Sequence, residues 1–313
     1  MKMASFPSSL RLLLSLLSLL SPVAISTTFT ITNNCGYTVW PGILSGAGTA
    51  PVSTTGFSLS RGESRAVAMS PSWSGRLWGR TLCSTDPSTA KFSCSTGDCG
   101  SGTLACSSGA APPTTLAEFT LAGSGGLDFF DVSLVDGYNL PVLIVPQSGA
   151  ATGKCTATGC AVDINGLCPS DLRVFAGDDE GKSVACRSAC EAFGKPEFCC
   201  SGEYGNPNTC KPSSYSEFFK NACPRAYSYA YDDASSTFTC ATGTDYEITF
   251  CPATTSQKAG EKIPTVAKVP LINDTMVFMG VVDTSSAVAI NAWPTIFASV
   301  IVFWLTHLHR LFF

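Results

Sequence analysis

Between positions 27 and 252, short runs of apolar, β-branched or aromatic residues alternate with polar turn residues. Residues 29–32 and 37–40 are the first two runs, and the pairs Asn33-Asn34 and Pro41-Gly42 that follow them are turn signals. Such runs, bounded by turn residues, indicate antiparallel strands. Five further runs have the same character, at residues 57–60, 66–68, 127–135, 140–145 and 246–250. The pattern predicts a mostly β fold, an antiparallel β-sandwich.

Helical signals are confined to the cysteine-rich middle of the chain. Residues 169–171, directly after Cys168, predict the start of a short helix. Residues 188–193 contain helix-forming residues and predict a second short helix that ends at Gly194.

The first 26 residues have the layout of a secretory signal peptide. Lys2 and Arg11 precede a leucine-rich run at residues 12–20, which is too short to span about 30 Å of hydrocarbon. Ala24 and Ser26 then supply small residues at the two positions that a signal peptidase requires. We therefore expect a secreted protein whose mature chain begins near Thr27.

Sixteen cysteines in a secreted chain predict eight disulfides and no free thiol, although spacing alone does not determine their pairing. No Cys-x-x-Cys pair is present, so neither a metal site nor a cofactor is expected. Both histidines, His307 and His309, lie at the extreme C-terminus. The body at 27–252 therefore has no imidazole for a Ser-His-Asp triad, a Cys-His dyad or a His-ligated zinc.

Acidic side chains outnumber basic ones in this body. Residues 27–252 contain 13 Lys and Arg against 20 Asp and Glu, a net charge of −7. Nucleic acid and anionic membrane surfaces are poor partners for that charge.

Several motifs together resemble the plant thaumatin-like, or pathogenesis-related thaumatin, family. The similarity covers essentially residues 27–252 and includes all sixteen cysteines in family order. Ala90 departs from the family pattern, which usually has Gly there, and we expect this change to alter only a loop. The motifs are Trp78-Gly79-Arg80-Thr81, residues 94–100 (CSTGDCG) closing at Cys106, 113–118 (PTTLAE), 127–137 (LDFFDVSLVDG), Cys199-Cys200, 227–229 (YSY) and 250–252 (FCP).

This resemblance implies a β-sandwich with a disulfide-rich lobe beside it and a cleft between the two. It also implies which cysteines pair, and the disulfides would make the body resistant to heat and proteases. The implied pairs are Cys35–Cys251, Cys83–Cys94, Cys99–Cys106, Cys155–Cys240, Cys160–Cys223, Cys168–Cys186, Cys190–Cys199 and Cys200–Cys210.

The resemblance further implies an acidic cleft, and the parity of two of its residues constrains the fold. Asp131 and Asp136 are an odd number of positions apart, so an unbroken strand would present them on opposite faces. A bulge, or a turn at Asp136-Gly137, must bring both into the cleft. The cleft residues carried over from the family are Arg76, Glu118, Asp131, Asp136 and Asp232, with the adjacent Asp233 as the alternative to Asp232.

Several carboxylates around one arginine can bind sugar hydroxyls, and crowding of like charges raises the pKa of one of them. Given the resemblance, the function that we favour is non-enzymatic binding of β-1,3-glucan from fungal walls by a monomeric defence protein. The alternative is a weak endo-β-1,3-glucanase with Glu118 as the acid and Asp131 or Asp136 as the base or nucleophile. A third interpretation is a structural network in which Arg76 neutralises buried carboxylates.

Four tyrosines could add stacking surfaces for sugars, although aromatic residues in this fold are more often part of the core. They are Tyr204, Tyr227, Tyr229 and Tyr231.

The composition changes after Cys251. Residues 253–286 predict a linker with an N-glycosylation sequon at Asn273. Small residues at 283–286 and a hydrophobic terminus at 287–313 resemble a GPI-attachment signal, which would place the protein on the extracellular face of the plasma membrane or in the cell wall. A membrane span at 287–305 is an alternative that Asn291 and Pro294 weaken, and plain secretion is the third.

Overall fold

The computed structural model describes residues 26–147, 154–177 and 181–253, which lie within one compact unit of the chain. Thirteen strands form three sheets in these residues. The strands are β1 (Thr27–Asn33), β2 (Trp40–Ser45), β3 (Ser64–Met69), β4 (Ser74–Thr85), β5 (Phe92–Thr96), β6 (Leu116–Thr120), β7 (Leu127–Ser133), β8 (Val142–Pro146), β9 (Thr158–Cys160), β10 (Arg173–Phe175), β11 (Ser183–Cys186), β12 (Phe238–Ala241) and β13 (Tyr246–Phe250).

Two large sheets account for eleven of these strands. One has the order β3-β1-β13-β8-β9, in which β1 and β13 are parallel and the other pairs antiparallel. The other has the order β12-β7-β6-β4-β2, with β5 also pairing with β4, and is antiparallel throughout. Because neighbouring side chains of a strand point to opposite faces, each sheet can bury one face and expose the other.

Aromatic rings from both sheets meet in the core. Phe29 of β1 lies 4.3 Å, centroid to centroid, from Phe119 of β6, and both are buried. Tyr246 of β13 lies 5.2 Å from Phe119 and 5.1 Å from Phe130 of β7. The two sheets therefore pack face to face through large apolar side chains, which confirms the predicted sandwich.

The cysteine-rich segment forms a smaller lobe with the two-stranded sheet β10-β11 and several short helices. In the first helix, Ser188 accepts a hydrogen bond from the Glu191 N–H and Gly194 ends the helix in the left-handed conformation, as the sequence predicts. The helices are α1 (Ala189–Phe193), α2 (Pro196–Cys199), α3 (Ser214–Ala222) and α4 (Asp233–Ser236), with 3-10 turns at Ser124–Gly126 and Gly202–Tyr204.

All sixteen cysteines are paired, and the eight pairs are those that the family resemblance implies. Cys35–Cys251 joins the beginning and end of the described body, and Cys83–Cys94 and Cys99–Cys106 staple the β4–β5 region. The other five disulfides involve the lobe and its junction with the sheets.

The predicted strand at 37–40 is wrong, and so is the turn at Pro41-Gly42. Only Val39, in an isolated bridge to Leu59, and Trp40, at the start of β2, are paired, while Pro41 and Gly42 lie inside β2. Gly42 is needed there because a Cβ at this position would lie 2.5 Å from the Trp78 ring. The glycine thus reflects a close contact between strands and not a turn.

Other sequence predictions differ from the structure at smaller scale. The run at 57–60 contributes an isolated bridge at Leu59 and not a strand. Residues 169–171 form a turn, closed by the Leu172 N–H donating to the Pro169 carbonyl at 2.9 Å, and not the start of a helix.

The predictions for residues 1–25 and beyond 253, including Asn273 and the hydrophobic terminus, fall outside the described residues. Within the described ranges, no helix is long and apolar enough to cross a membrane.

Candidate functional site

Three charged residues form a row across the outer face of the six-stranded sheet. The strand register pairs Arg76 of β4 with Glu118 of β6, and Glu118 with Asp131 of β7. Residues directly opposite one another on neighbouring strands have Cβ atoms about 4.5–5.5 Å apart. The residues that alternate with this row, such as Ala117 and Phe130, are buried in the core. The row therefore lies on the face directed away from the core.

A turn after β7 brings a fourth charged residue to the same place. β7 ends at Ser133, and the Gly137 N–H donates to the Leu134 carbonyl at 3.0 Å to close the turn that contains Asp136. Gly137 has a φ of 84°, which favours glycine. The chain thus leaves the strand before Asp136. The alternation of side chains along a strand therefore no longer places Asp131 and Asp136 on opposite faces.

Glu118, Asp131 and Asp136 line a cleft of about 320 Å³ between the sheet and a loop of the lobe, whereas Arg76, which the family resemblance also assigns to the cleft, is not among its lining residues. Four carboxylates line it, and the loop wall is residues 227–233. The lining residues are Glu118, Asp131, Asp136 and Asp233 together with Leu116, Ser133, Val135, Tyr227 and Ala230.

Asp232, which the family resemblance assigns to the cleft, does not line it. Its carboxylate pairs with the Lys220 ammonium at 2.7 Å and accepts hydrogen bonds from the Ser228 N–H and hydroxyl, each at 3.1 Å. The adjacent Asp233 lines the cleft instead. The assignment is corrected by one position, and Asp232 fastens the loop to α3.

Of the four candidate tyrosines, Tyr227 lines the cleft. Its hydroxyl lies 2.7 Å from Asp233 Oδ1, to which it donates, and 2.5 Å from Thr237 Oγ1. Tyr229 lines a separate cavity of about 30 Å³ within the lobe, and Tyr204 and Tyr231 line neither of these cavities.

Burial raises the pKa values of the two carboxyl groups on the sheet, those of Glu118 and Asp131. Desolvation raises the pKa of Asp131 well above its ordinary value, and the nearby charges of Glu118 and Asp233 raise it further. Burial likewise raises the pKa of Glu118, with Arg76 opposing this effect and Asp136 adding to it. Among the described residues, the buried Oδ2 atom of Asp131 has no hydrogen-bond partner. Asp131 and Glu118 therefore keep their protons to higher pH than ordinary carboxyl groups do, and Asp131 has one oxygen without a hydrogen-bond partner among the described residues.

Glu191 is a further acid near the cleft that sequence reasoning missed. It lies in the first turn of α1, and desolvation and the charge of Asp136 raise its pKa to about 7, against the opposing effect of Arg187. The Ser188-x-x-Glu191 spacing indicates a helix start, but nothing in it places this carboxylate near Asp136.

Residues 33–252 match the model of the thaumatin family, and the chain belongs to that family. It is 54% identical to thaumatin-like protein 1 of Pyrus pyrifolia over 228 residues, which cover 72% of this chain and 91% of that protein. It is 51% identical to a glucan endo-1,3-beta-glucosidase of Prunus avium over 230 residues, covering 73% and 92%.

A receptor kinase is among the similar proteins as well. The chain is 56% identical to the PR5-like receptor kinase of Arabidopsis thaliana over 229 residues, or 73% of this chain. That alignment spans about a third of the receptor kinase, 34% of its length.

Proposed function

We propose that this protein binds β-1,3-glucan of fungal walls in the acidic cleft and acts in defence at the cell surface. The observation that carries the proposal is the buried, unpartnered oxygen of Asp131 within a cleft lined by three further carboxylates. A buried polar atom without a partner costs free energy, and a sugar hydroxyl that hydrogen-bonds to it would recover that cost.

The chemistry of the cleft suits a neutral, hydroxyl-rich ligand. A protonated carboxyl group donates one hydrogen bond, and carboxylate oxygens accept hydrogen bonds from sugar hydroxyls. Because burial raises the pKa values of Asp131 and Glu118, glucan binding is expected to weaken as pH rises and these donors lose their protons. The similarity to a protein named as a glucan endo-1,3-beta-glucosidase supports glucan as the ligand class.

The same similarity keeps weak hydrolysis as the second candidate. Glu118 has the raised pKa that a general acid needs. Asp131 holds its own proton more tightly than an ordinary aspartate, so it is poorly suited to be the base or nucleophile. Asp136, which faces the same cleft from the turn, is the better partner for Glu118 in a hydrolytic reaction.

Pull-down on insoluble β-1,3-glucan and release of reducing ends separate the two functions. Both are measured at pH 5 for the wild type, Glu118→Gln, Asp131→Asn and Asp136→Asn, with Glu203→Gln as an exposed acid outside the cleft. Pull-down without release, weakened by the cleft variants and not by the control, supports binding. Release abolished by Glu118→Gln and Asp136→Asn supports hydrolysis. Absence of both activities in the wild type contradicts both functions and leaves the carboxylates a structural role.

For the chain ends we propose a signal peptide at 1–26, the thaumatin domain at 27–252, a linker at 253–286 and a GPI-attachment signal at 287–313. The similarity to a receptor kinase supports membrane association of such a domain. Treatment of expressing cells with a phosphatidylinositol-specific phospholipase should release the protein, and glycosidase treatment should lower its mass if Asn273 is glycosylated. Complete retention on the membrane would favour a span at 287–305.

A further inference from the structure

The wall of the cleft opposite the sheet carboxylates is held by hydrogen bonds that none of the preceding functions requires. Tyr227 continues the edge of β7 through an isolated parallel bridge to Ser133. Its N–H donates to the Val132 carbonyl and its carbonyl accepts from the Leu134 N–H, both at 2.8 Å. The backbone of Tyr227 is thus fixed to the sheet two residues beyond Asp131.

From this fixed backbone, the side chain of Tyr227 extends to Asp233, the first residue of α4. Its hydroxyl has one proton, which it donates to Asp233 Oδ1 at 2.7 Å, so the contact with Thr237 at 2.5 Å is one in which Tyr227 accepts. Thr237, Tyr227 and Asp233 form a chain of hydrogen bonds in which each bond polarises the next. Asp233 is exposed and would otherwise be free to turn toward solvent.

We propose that Tyr227 is a positioning residue that holds Asp233 over the cleft, so that Asp131 and Asp233 bind one glucan chain from opposite walls. This inference rests on the proposed glucan binding. The inference attributes recognition of the glucan chain to two carboxyl groups, that of Asp131 on β7 and that of Asp233 on α4. Tyr227 then positions Asp233 for ligand binding and does not serve as a stacking surface for sugar.

The charged groups around Asp131 and Asp233 determine which measurement can detect the positioning role of Tyr227. Besides burial, the charges of Glu118 and Asp233 raise the pKa of Asp131, and the charge of Asp131 raises the pKa of Tyr227. Arg76 and Asp136 act on Glu118, and Tyr229 and Asp232 lie beside Asp233. If Tyr227 holds Asp233 near Asp131, release of Asp233 removes a negative charge from the surroundings of Asp131, whose carboxyl then titrates at lower pH.

The test compares Tyr227→Phe, Asp233→Ala and the double variant with the wild type, and uses Tyr229→Phe as the matched control in the same loop. Tyr227→Phe should weaken binding to soluble β-1,3-glucan oligosaccharides about tenfold, the loss expected for one charge-assisted hydrogen bond. The double variant should bind no more weakly than Asp233→Ala alone, because both changes break the same interaction. Tyr229→Phe should bind like the wild type.

A second measurement does not need a ligand. NMR titration of the side-chain carboxyl groups in the unliganded protein should show the midpoint of Asp131 shifted to lower pH in Tyr227→Phe and Asp233→Ala, and unshifted in Tyr229→Phe. A merely structural tyrosine would alter stability without moving this midpoint. If Tyr227→Phe fails to fold, Thr237→Val, which removes the other hydrogen-bond partner of the tyrosine hydroxyl, tests the same chain of hydrogen bonds.

The outcomes separate the two claims. An unshifted Asp131 midpoint in Tyr227→Phe overturns the positioning role whatever Asp233→Ala shows, and so do additive losses in the double variant. A wild type that does not bind glucan overturns the proposed function, and the titration then decides the positioning role alone.

Discussion

At the scale of single residues, Asp131 shows how a buried acidic cleft costs the protein stability. Its carboxyl group is buried beside Glu118 and Asp233, which raises its pKa in the folded state above the 3.8 of an unperturbed aspartate. Between those two pKa values the folded protein binds more protons than the unfolded chain. The stability contributed by protonated Asp131 is therefore fully present below about pH 3.8 and declines as pH rises through the folded pKa.

Asp131→Asn removes this dependence. Relative to the wild type, the variant should be more stable at pH 7 than at pH 3, as measured by denaturant unfolding with the disulfides intact. Asp86 is a control of opposite sign, because hydrogen bonds from Ser88 and Thr89 lower its pKa to about 2. Asp86→Asn should lose stability at pH 7, and that loss should shrink as pH falls toward 2. A difference between Asp131→Asn and the wild type that does not change with pH would contradict the desolvation of Asp131.

Gly42 offers a residue-scale test of packing. Gly42→Ala would bring a Cβ to 2.5 Å from the indole of Trp78, which is buried and donates from Nε1 to the Gly97 carbonyl at 2.8 Å. The expected cost is about 1–3 kcal/mol of unfolding free energy, as for other overpacked sites. Gly36→Ala is the control, since a Cβ there meets no atom within 4 Å. Equal stability of the two variants would mean that Trp78 can move aside freely.

Of the five residues that the family resemblance assigns to the cleft, Glu118, Asp131 and Asp136 line it, whereas Arg76 and Asp232 do not. Sequence spacing cannot tell which of Asp232 and Asp233 lines the cleft. The answer depends on Lys220 of α3, whose ammonium forms a salt bridge with Asp232. Glu191 was not predicted because its proximity to Asp136 arises from the approach of the lobe to the sheet. Sequence separation does not encode that approach.

At the scale of elements, the loop at 227–233 is held from both sides. Asp232 pairs with Lys220 of α3 and with Ser228, while Tyr227 is bridged to the end of β7. The residues of this loop that line the cleft are therefore held on a rigid support, by Lys220 from outside the cleft and by the bridge to Ser133 at its edge.

Lys220→Met removes the cationic anchor and leaves Asp232 without its counter-charge. The expected cost is about 1–3 kcal/mol in unfolding free energy, the range for hydrogen bonds to charged groups. Amides at 227–233 should also exchange with solvent about tenfold faster or more, because the loop opens locally. Lys211→Met is the matched control in the same lobe, where the ammonium donates to the exposed Pro207 carbonyl at 3.1 Å. Unchanged exchange in Lys220→Met would show that Ser228 and the bridge suffice.

Elements were predictable where the pattern is local. β13 coincides with the predicted run, and α1 begins and ends at its capping residues. α3, with its capping box formed by Ser213 and Ser216, was not recognised because two serines are a weaker signal than Ser with Glu. The composition of Pro41-Gly42 is typical of turns and predicts one, whereas contacts with another strand determine its conformation.

At the scale of the whole molecule, the two ends of the body meet in the middle of one sheet. β1 and β13 pair in parallel, with Phe29 opposite Tyr246 and Asn33 opposite Phe250. Neither strand carries a signal for this partner, because pairing across more than 200 residues depends on all the intervening strands. The family resemblance anticipated the closure through Cys35 and Cys251, and the strand pattern alone did not.

The disulfide that accompanies this closure should contribute more stability than any other single disulfide of the fold, because it closes the longest loop. Cys35–Cys251 closes a loop of 216 residues, and Cys190–Cys199 closes one of 9. The chain-entropy relation gives about 5 kcal/mol for the longer loop and about 3 kcal/mol for the shorter one. The paired variant Cys35→Ala/Cys251→Ala should therefore lose more unfolding free energy than Cys190→Ala/Cys199→Ala, and denaturant unfolding at pH 7 measures both. Losses that are equal, or larger for the short loop, would mean that native contacts around each bridge outweigh its effect on the unfolded chain.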